Sequence, residues 1–169
     1  MTPRPAGVRT CADSRVDMVE LVLPNDTNTH GTLLGGRVMH WIDMAAALSA
    51  MRYTGQPVVT ASVDELHFLA PVELGETAVL RAEVTQAWHS SVEVHVQVHA
   101  EDMMHGTQRP TTAAYLTFVA LDEAGRPAPV PVIRLRTARE ARRAREADER
   151  RARRQLSRQR VLRESGLVR

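Results

Sequence analysis

The chain of 169 residues contains no lysine and a single cysteine, Cys11. One cysteine cannot close an internal disulfide, which fits the reducing interior of a cell. Aromatic residues make up only 4%, too few for a platform on which nucleic-acid bases stack. No run of about 18 uninterrupted apolar residues exists, so no spanning helix is expected. The opening residues MTPRPAGVRTCADSR hold no apolar signal-peptide core. The expectation is a cytoplasmic protein. No Gly-x-Ser-x-Gly elbow is present, and Cys11 stands in an irregular stretch with no base nearby. Neither a serine nor a cysteine nucleophile is therefore expected. The absence of lysine itself has no functional reading.

What is present supports one domain. Hydrophobic residues reach 43%, enough for a single core at this length. The net charge of +2 conceals a division. Residues 134–169 hold fourteen arginines and five acids, a net of +9, whereas residues 1–133 carry a net of −7. Three segments follow: an unstructured leader over 1–14, a folded domain over 15–133, and an Arg-rich tail, helical or disordered, over 134–169. Apolar positions in the tail are too sparse for a packing face, so a solvated or frayed helix is the plain expectation. The sharper one is that Arg134, Arg136 and Arg139 reach an anionic ligand or a neighbouring subunit. Nucleic acid is disfavoured as a partner, because the body is acidic and no recognition motif is present.

The stretch Asp26-Thr27-Asn28-Thr29-His30-Gly31-Thr32-Leu33-Leu34-Gly35-Gly36 leads into the run VMHWIDMAAALSAM, residues 38–51. This run has almost no polar side and reads as a helix buried nearly all round. Asp43 is its one carboxylate, and burying an unpaired carboxylate costs several kcal/mol, roughly, unless the group is used. Around the helix the pattern predicts strands over 16–23, 58–69, 77–88, 91–101 and 111–122. In SVEVHVQVHAE the valines face one way, while Glu93, His95, Gln97 and His99 face the other as a wet face. The order β-α-β-β-β-β with short connections predicts an α+β domain, an antiparallel sheet curled around one helix. Its open edges and partly covered helix predict at least a dimer. No metal is expected: His95 and His99 stand four apart on a strand, and no cysteine or acid joins them or His30 and His40.

The stretch LPNDTNTHGTLLGGRVMHWID resembles the hotdog-fold acyl-CoA thioesterases, in their cytosolic acyl-CoA hydrolase branch. The shared pattern is Pro24, Asp26-Thr27-Asn28, Gly31, Gly35-Gly36 and Asp43. It continues in Val59-Thr60-Ala61-Ser62-Val63-Asp64, in the His89-Ser90-Ser91 turn and in Leu116 to Leu121, and so spans residues 16 to about 133. The resemblance implies a hotdog fold and hydrolysis of an acyl-coenzyme A to free acid and coenzyme A. It implies that Asn28 of one subunit faces Asp43 of another, with Thr60 assisting. It also implies a homo-oligomer, at least a dimer and in similar enzymes a trimer of dimers. Two departures are Thr32 and Met44, where some relatives carry acids. Leu34 stands where phenylacetyl-type thioesterases carry a His before the glycine pair.

The chemistry asks for a base or nucleophile, a held water and donors for the carbonyl oxygen. Asp43 suits general base or nucleophile, and no cofactor is needed beyond the coenzyme A of the substrate. The Gly35 and Gly36 N–H groups, at the positive end of the helix, suit an oxyanion. Against each role stands a plainer one: Asn28 as a turn residue, Thr60 as an ordinary strand residue, the glycines as packing, and Asp43 as a partner for Arg37 or Arg52 of a neighbouring subunit. For coenzyme A, the resemblance suggests His89, Ser90 and Ser91 for the pantetheine arm. Arg109, Arg134 and Arg136 are candidates for the phosphates, since guanidinium forks bind them bidentately. The rival readings are a non-catalytic acyl-CoA-binding module and a hotdog enzyme acting on another thioester class.

Overall fold

The computed structural model describes residues 7–165. The first six residues of the expected leader and the last four of the tail lie outside them. The elements are β1 (Val8–Thr10), β2 (Val16–Leu21), α1 (Gly35–Thr54), β3 (Val58–Phe68), β4 (Thr77–Ala87), β5 (Ser91–Asp102), β6 (Thr107–Ala120), β7 (Val132–Arg134) and α2 (Ala138–Glu164). Five strands form one antiparallel sheet in the order β2-β4-β5-β6-β3. The β1 and β7 strands form a separate parallel pair. Residues 8–14 were expected to be unstructured and are not. They form β1 and a 3-10 turn over Cys11–Ser14, with Cys11 and Ser14 buried.

The core lies between α1 and the inner face of the sheet. Val92, Val94, Val96 and Val98 of β5 are all buried there, as the alternation predicts, together with Leu80, Leu116 and Phe118. Ile42, Ala45, Ala46, Ala50 and Tyr53 supply the helix side. Gly55 ends α1 in the left-handed region at φ 70°, where its N–H reaches the Met51 carbonyl, as glycine C-caps commonly do.

Burial of α1 is not complete. Met39, Met44, Leu48 and Met51 are 39–48% exposed and form a strip along one side. One five-stranded sheet contacts only part of the circumference of a helix, so the apolar run overstates how much of it this chain covers itself.

The outer face of the sheet departs from expectation more sharply. The row Glu93, His95, Gln97 and His99 is not simply wet, because α2 crosses it. The Glu93 side chain is fully buried and takes two hydrogen bonds from Arg150, at 3.0 and 2.8 Å, and one from Thr85 at 2.6 Å. The Arg150 guanidinium also lies 3.7 Å over the Tyr115 ring. The tail helix is thus docked on the domain as far as Arg154, while its described residues beyond that point are largely exposed, as a solvated helix would be. Its face is Arg143, Ala147, Arg150 and Arg154, at the spacing of one helical side. Ala144 and Ala147 let the backbone approach, while the arginines reach Glu83, Glu93 and Asp64. Thr137 and Glu140 cap the helix reciprocally, at 3.1 and 3.0 Å, the capping-box arrangement.

His95 sits in this layer, stacked on Tyr115 at 4.6 Å. Arg143 Nη2 donates to its Nδ1 at 2.5 Å. A guanidinium has no acceptor, so Nδ1 must be unprotonated. Burial and the nearby Arg143, Arg150 and Arg139 push the imidazole down to about 3.

Two outcomes follow. Arg150→Ala strands the Glu93 carboxylate and should cost about 3–5 kcal/mol in denaturant unfolding. The unfolded His95 takes a proton near 6.5 and the folded one only near 3. Between those values the unfolded chain binds more protons, so this group removes stability as pH falls from about 7 towards 3. His95→Gln should flatten that part of the stability–pH curve.

Candidate active site

Asp43 projects from the half-covered side of α1 towards β3. Thr60 Oγ1 donates to Asp43 Oδ1 at 2.7 Å, so the structure brings these two predicted residues together. The carboxylate is half-buried, on the side of α1 that carries the exposed strip. Arg37 and Arg52 have other partners. Arg37 pairs with Asp26 at 2.9 Å, and Arg52 donates to the Arg15 carbonyl. Among the described residues Asp43 has no ion-pair partner.

Asn28 is held elsewhere. Its Oδ1 accepts from the His30 N–H at 2.8 Å and the Thr32 N–H at 3.3 Å, and its Nδ2 donates to Thr32 Oγ1 at 2.9 Å. One Nδ2 hydrogen is left over. The Asp26 carbonyl accepts from Leu34 N–H at 2.8 Å, and its carboxylate binds Arg37, which pins the loop to the start of α1. Gly35 and Gly36 begin that helix, both exposed, and the first N–H groups of a helix have no intrahelical acceptor. An apolar cleft of about 370 Å³ opens beside Gly35, walled by Leu33, Val38, Phe68 and Val72. Asp43 lies eight residues further along α1, about 12 Å of rise. A single chain therefore groups Asn28 with the two glycines, and Asp43 with Thr60, but does not join the two groups.

Neither glycine is demanded by the chain itself. Neither has a positive φ. A Cβ on Gly36 would meet nothing within 4 Å, and one on Gly35 would make only ordinary contact with Phe68 at 3.6 Å.

The residues suggested for coenzyme A divide. The Ser90 carbonyl accepts from Ala120 N–H and the His89 carbonyl from Val130 N–H, both at 3.0 Å. The turn thus sits where the segment towards Arg134 and Arg136 departs, and neither of those guanidinium groups has an acidic partner among the described residues, although the Arg136 backbone N–H donates to Glu140 at 2.5 Å. Pairing of Thr60 with Phe118, and of Phe118 with Val92, puts the turn two strands from Thr60, roughly 10 Å away. Arg109 departs from expectation. Glu76 holds its guanidinium at 2.5 and 2.7 Å, and the Pro71 carbonyl holds it at 3.0 Å. That pairing keeps the Glu76 carboxyl below its usual range. Arg109 also lies nine residues along β6 from Phe118, roughly 30 Å. A phosphate would have to displace Glu76 to reach it.

Other chemistry finds little support. The described residues contain no cluster of three or more His, Cys, Asp or Glu side chains placed for a metal. Burial, with Glu140 and Glu83 nearby, pushes the Cys11 thiol up to about 11, which makes it a poor nucleophile. A larger cavity of about 720 Å³ lies on the outer face under the start of α2 and holds neither Asn28 nor Asp43. Of its four arginines, Arg15, Arg81 and Arg143 pair with Glu83 or Asp17, while Arg139 has no ion-pair partner among the described residues.

Known proteins are similar to this chain in sequence and fold. Residues 30–107 match the model of the Thioesterase superfamily. An uncharacterized acyl-CoA thioester hydrolase of Bacillus subtilis is 43% identical over 123 residues, 73% of this chain and 72% of that protein. The chain belongs to the acyl-CoA thioester hydrolase family of the thioesterase superfamily. An acyl-CoA hydrolase of Staphylococcus aureus, solved with butyryl coenzyme A, coenzyme A and coenzyme A disulfide, superposes with a TM-score of 0.88 at 35% identity, covering 95% of this chain and 98% of that one. The same enzyme has been solved as its Asn28→Ala, Asp43→Ala and Thr60→Ala variants. An apo-hexameric acyl-CoA thioesterase superposes at 0.85 with 38% identity, covering 89% and 97%. The hotdog architecture is common to them.

Within this thioester hydrolase fold, sequence reasoning missed the layer behind the site. Asp64, 6% exposed, accepts from Ser62, Thr117 and Arg154 on the reverse of the strand that carries Thr60. An acid embedded in Val-Thr-Ala-Ser-Val-Asp was the available signal, since such a charge needs a partner once covered. For the glycines, Gly36→Ala should leave the stability unchanged or raise it by up to roughly the 0.5–1 kcal/mol that separates the two residues within a helix, with the melting temperature unchanged or slightly higher. A thermal melt checks this.

Proposed function

We propose that the chain hydrolyses the thioester of an acyl-coenzyme A to free acid and free coenzyme A, at a site completed by two copies of itself. The observation that carries this reading is the separation within one chain. Asp43 with Thr60 sits on an exposed apolar strip, while Asn28 and the glycine amides stand about two helical turns away. A two-fold partner that covers Met39, Met44, Leu48 and Met51 would bring its own Asn28 loop over Asp43. The β3 strand, which among the described residues pairs with β6 alone, is an open edge beside that strip, so its pairing with a partner strand fits the same geometry.

In this reading Asp43, steadied by Thr60, takes a proton from water whose oxygen attacks the thioester carbonyl. Alternatively, Asp43 attacks the carbonyl itself and water cleaves the resulting anhydride. The partner's Asn28 loop and its Gly35 and Gly36 N–H groups hold the oxygen as it becomes negative. The carbon–sulfur bond then breaks, and the coenzyme A thiolate leaves to collect a proton. No cofactor takes part, because a carboxylate, water and N–H donors suffice. The His89-Ser90-Ser91 turn with Arg134 and Arg136 is assigned to coenzyme A. Arg109 is the weakest of the assigned residues, given its bond to Glu76. Assembly beyond the dimer follows the hexameric relative as a trimer of dimers. A cytoplasmic setting suits Cys11, a buried free thiol.

Thiol release over a panel of acyl-CoAs tests the activity. The wild type should release coenzyme A, and Asp43→Ala should abolish release without changing the elution volume. Asn28→Ala should lower kcat about 100-fold or more, the scale of a lost oxyanion-side donor. Refolding the two inactive variants together should restore activity, because mixed dimers regain one intact site. Absence of complementation would place both residues in one chain's site. Absence of thiol release by the wild type would leave a binding module.

A further inference from the structure

We propose that Arg154 and Asp64 are positioning residues that act through Thr60, which makes the Arg-rich helix α2 part of the machinery aiming the catalytic carboxylate. The inference rests on the reading of Asp43 and Thr60 given above and extends it to the opposite face of the sheet.

The argument begins with the register of β3 against β6. Thr60 pairs with Phe118, Ser62 with Thr117, Val63 with Leu116 and Glu65 with Tyr115, with irregularities between Thr60 and Ser62 and between Val63 and Glu65. Ala61 and Asp64 are the extra residues. In an unbroken strand Thr60 and Ser62 would share a face. Here the first bulge separates them. Thr60 follows Phe118 to the core side, where it meets Asp43, and Ser62 follows Thr117 to the side under α2. Bulges beside active sites commonly re-aim a side chain in this way.

Two bulges weaken the pairing of β3 with β6, its one neighbouring strand among the described residues of the same chain. What holds them is Asp64. Its Oδ1 accepts from Ser62 Oγ at 2.7 Å, spanning the stretch between the bulges. Its Oδ2 accepts from Thr117 Oγ1 at 3.0 Å, which ties that stretch to β6. The countercharge to this carboxylate, 6% exposed, comes from Arg154 Nη1 at 2.5 Å. Arg153 adds a second tie from α2 to the same strand, to Glu65 at 3.2 Å. If Arg154 is removed, a nearly buried carboxylate has lost its countercharge and must turn out towards water. That breaks the clamp, and a one-residue shift in β3 would turn Thr60 away from Asp43.

A double-mutant cycle reads this coupling. The kcat and KM for the best acyl-CoA of the panel are measured for wild type, Arg154→Ala, Thr60→Ala and the double variant, each at wild-type elution volume. Arg154→Ala should lower kcat about tenfold with KM changed less than about twofold, the pattern of an interaction made in the transition state. In the Thr60→Ala background the same change should cost less than about twofold, because residues acting in series are not additive. Arg154→Lys should recover part of the loss. Should Arg154→Ala fail to fold, Thr117→Val removes one anchor of the clamp without stranding a charge, and the same non-additivity is expected. Unchanged kcat in Arg154→Ala, or equal losses in both backgrounds, overturns the proposal. Full turnover by Thr60→Ala alone overturns the site reading as well, and is seen before any change in α2 is made.

Discussion

A sheet lies against one side of a helix and leaves the other to something else. That geometric limit governs this protein. The five strands bury Ile42, Ala46 and Tyr53 of α1 but leave Met39, Met44, Leu48 and Met51 outside. Asp43 sits on the boundary between the two regions, half-buried and bonded to Thr60. A carboxylate there is partly shielded from water yet remains open to a ligand, a combination that neither a core nor a surface position offers.

The same limit applies to the reverse of the sheet. Its outer face carries Glu93, Asp64 and Glu83, and α2 covers them with arginines rather than with leucines. Burying such pairs contributes little net stability compared with an apolar layer of the same shape, but removing either partner is costly. The layer therefore favours one arrangement of α2 over its neighbours more than it adds to the depth of the fold. Trp88 belongs to it too, since its Nε1 donates to Asp148 at 2.9 Å and Arg151 stacks 4.8 Å above the ring. That indole joins the hairpin turn proposed for coenzyme A to the helix on the far side.

Much of the inner half was legible from the chain. The valines of β5 alternate without a break, and the apolar run of α1 stands between turn-forming stretches, so sheet, helix and their contact could be read directly. Asp43 could be singled out because a charge inside such a run has few structural roles. The outer half was not legible, for a definite reason. Alternation separates two faces of a strand but does not say whether the polar one meets water or another polar layer. The docking face of α2 is periodic in arginine and alanine, which a hydropathy pattern registers as no face at all. The bulges at Ala61 and Asp64 were equally hidden, because that stretch contains no glycine or proline to mark them. Nor could the loop's internal bonding be anticipated: Asn28 acts as both a turn residue and a candidate site residue, and the two roles use different hydrogens of one amide.

The position of Glu93 has a bearing on synthesis. Chains emerge from the ribosome with the N-terminal part first, so the strand that carries this carboxylate is made well before Arg150. Until α2 is free of the ribosome, Glu93 and Asp64 have no arginine to face. The outer side of the sheet is thereby completed only after α2 has been made, and a chain cut short before Arg150 would expose its own unfinished back.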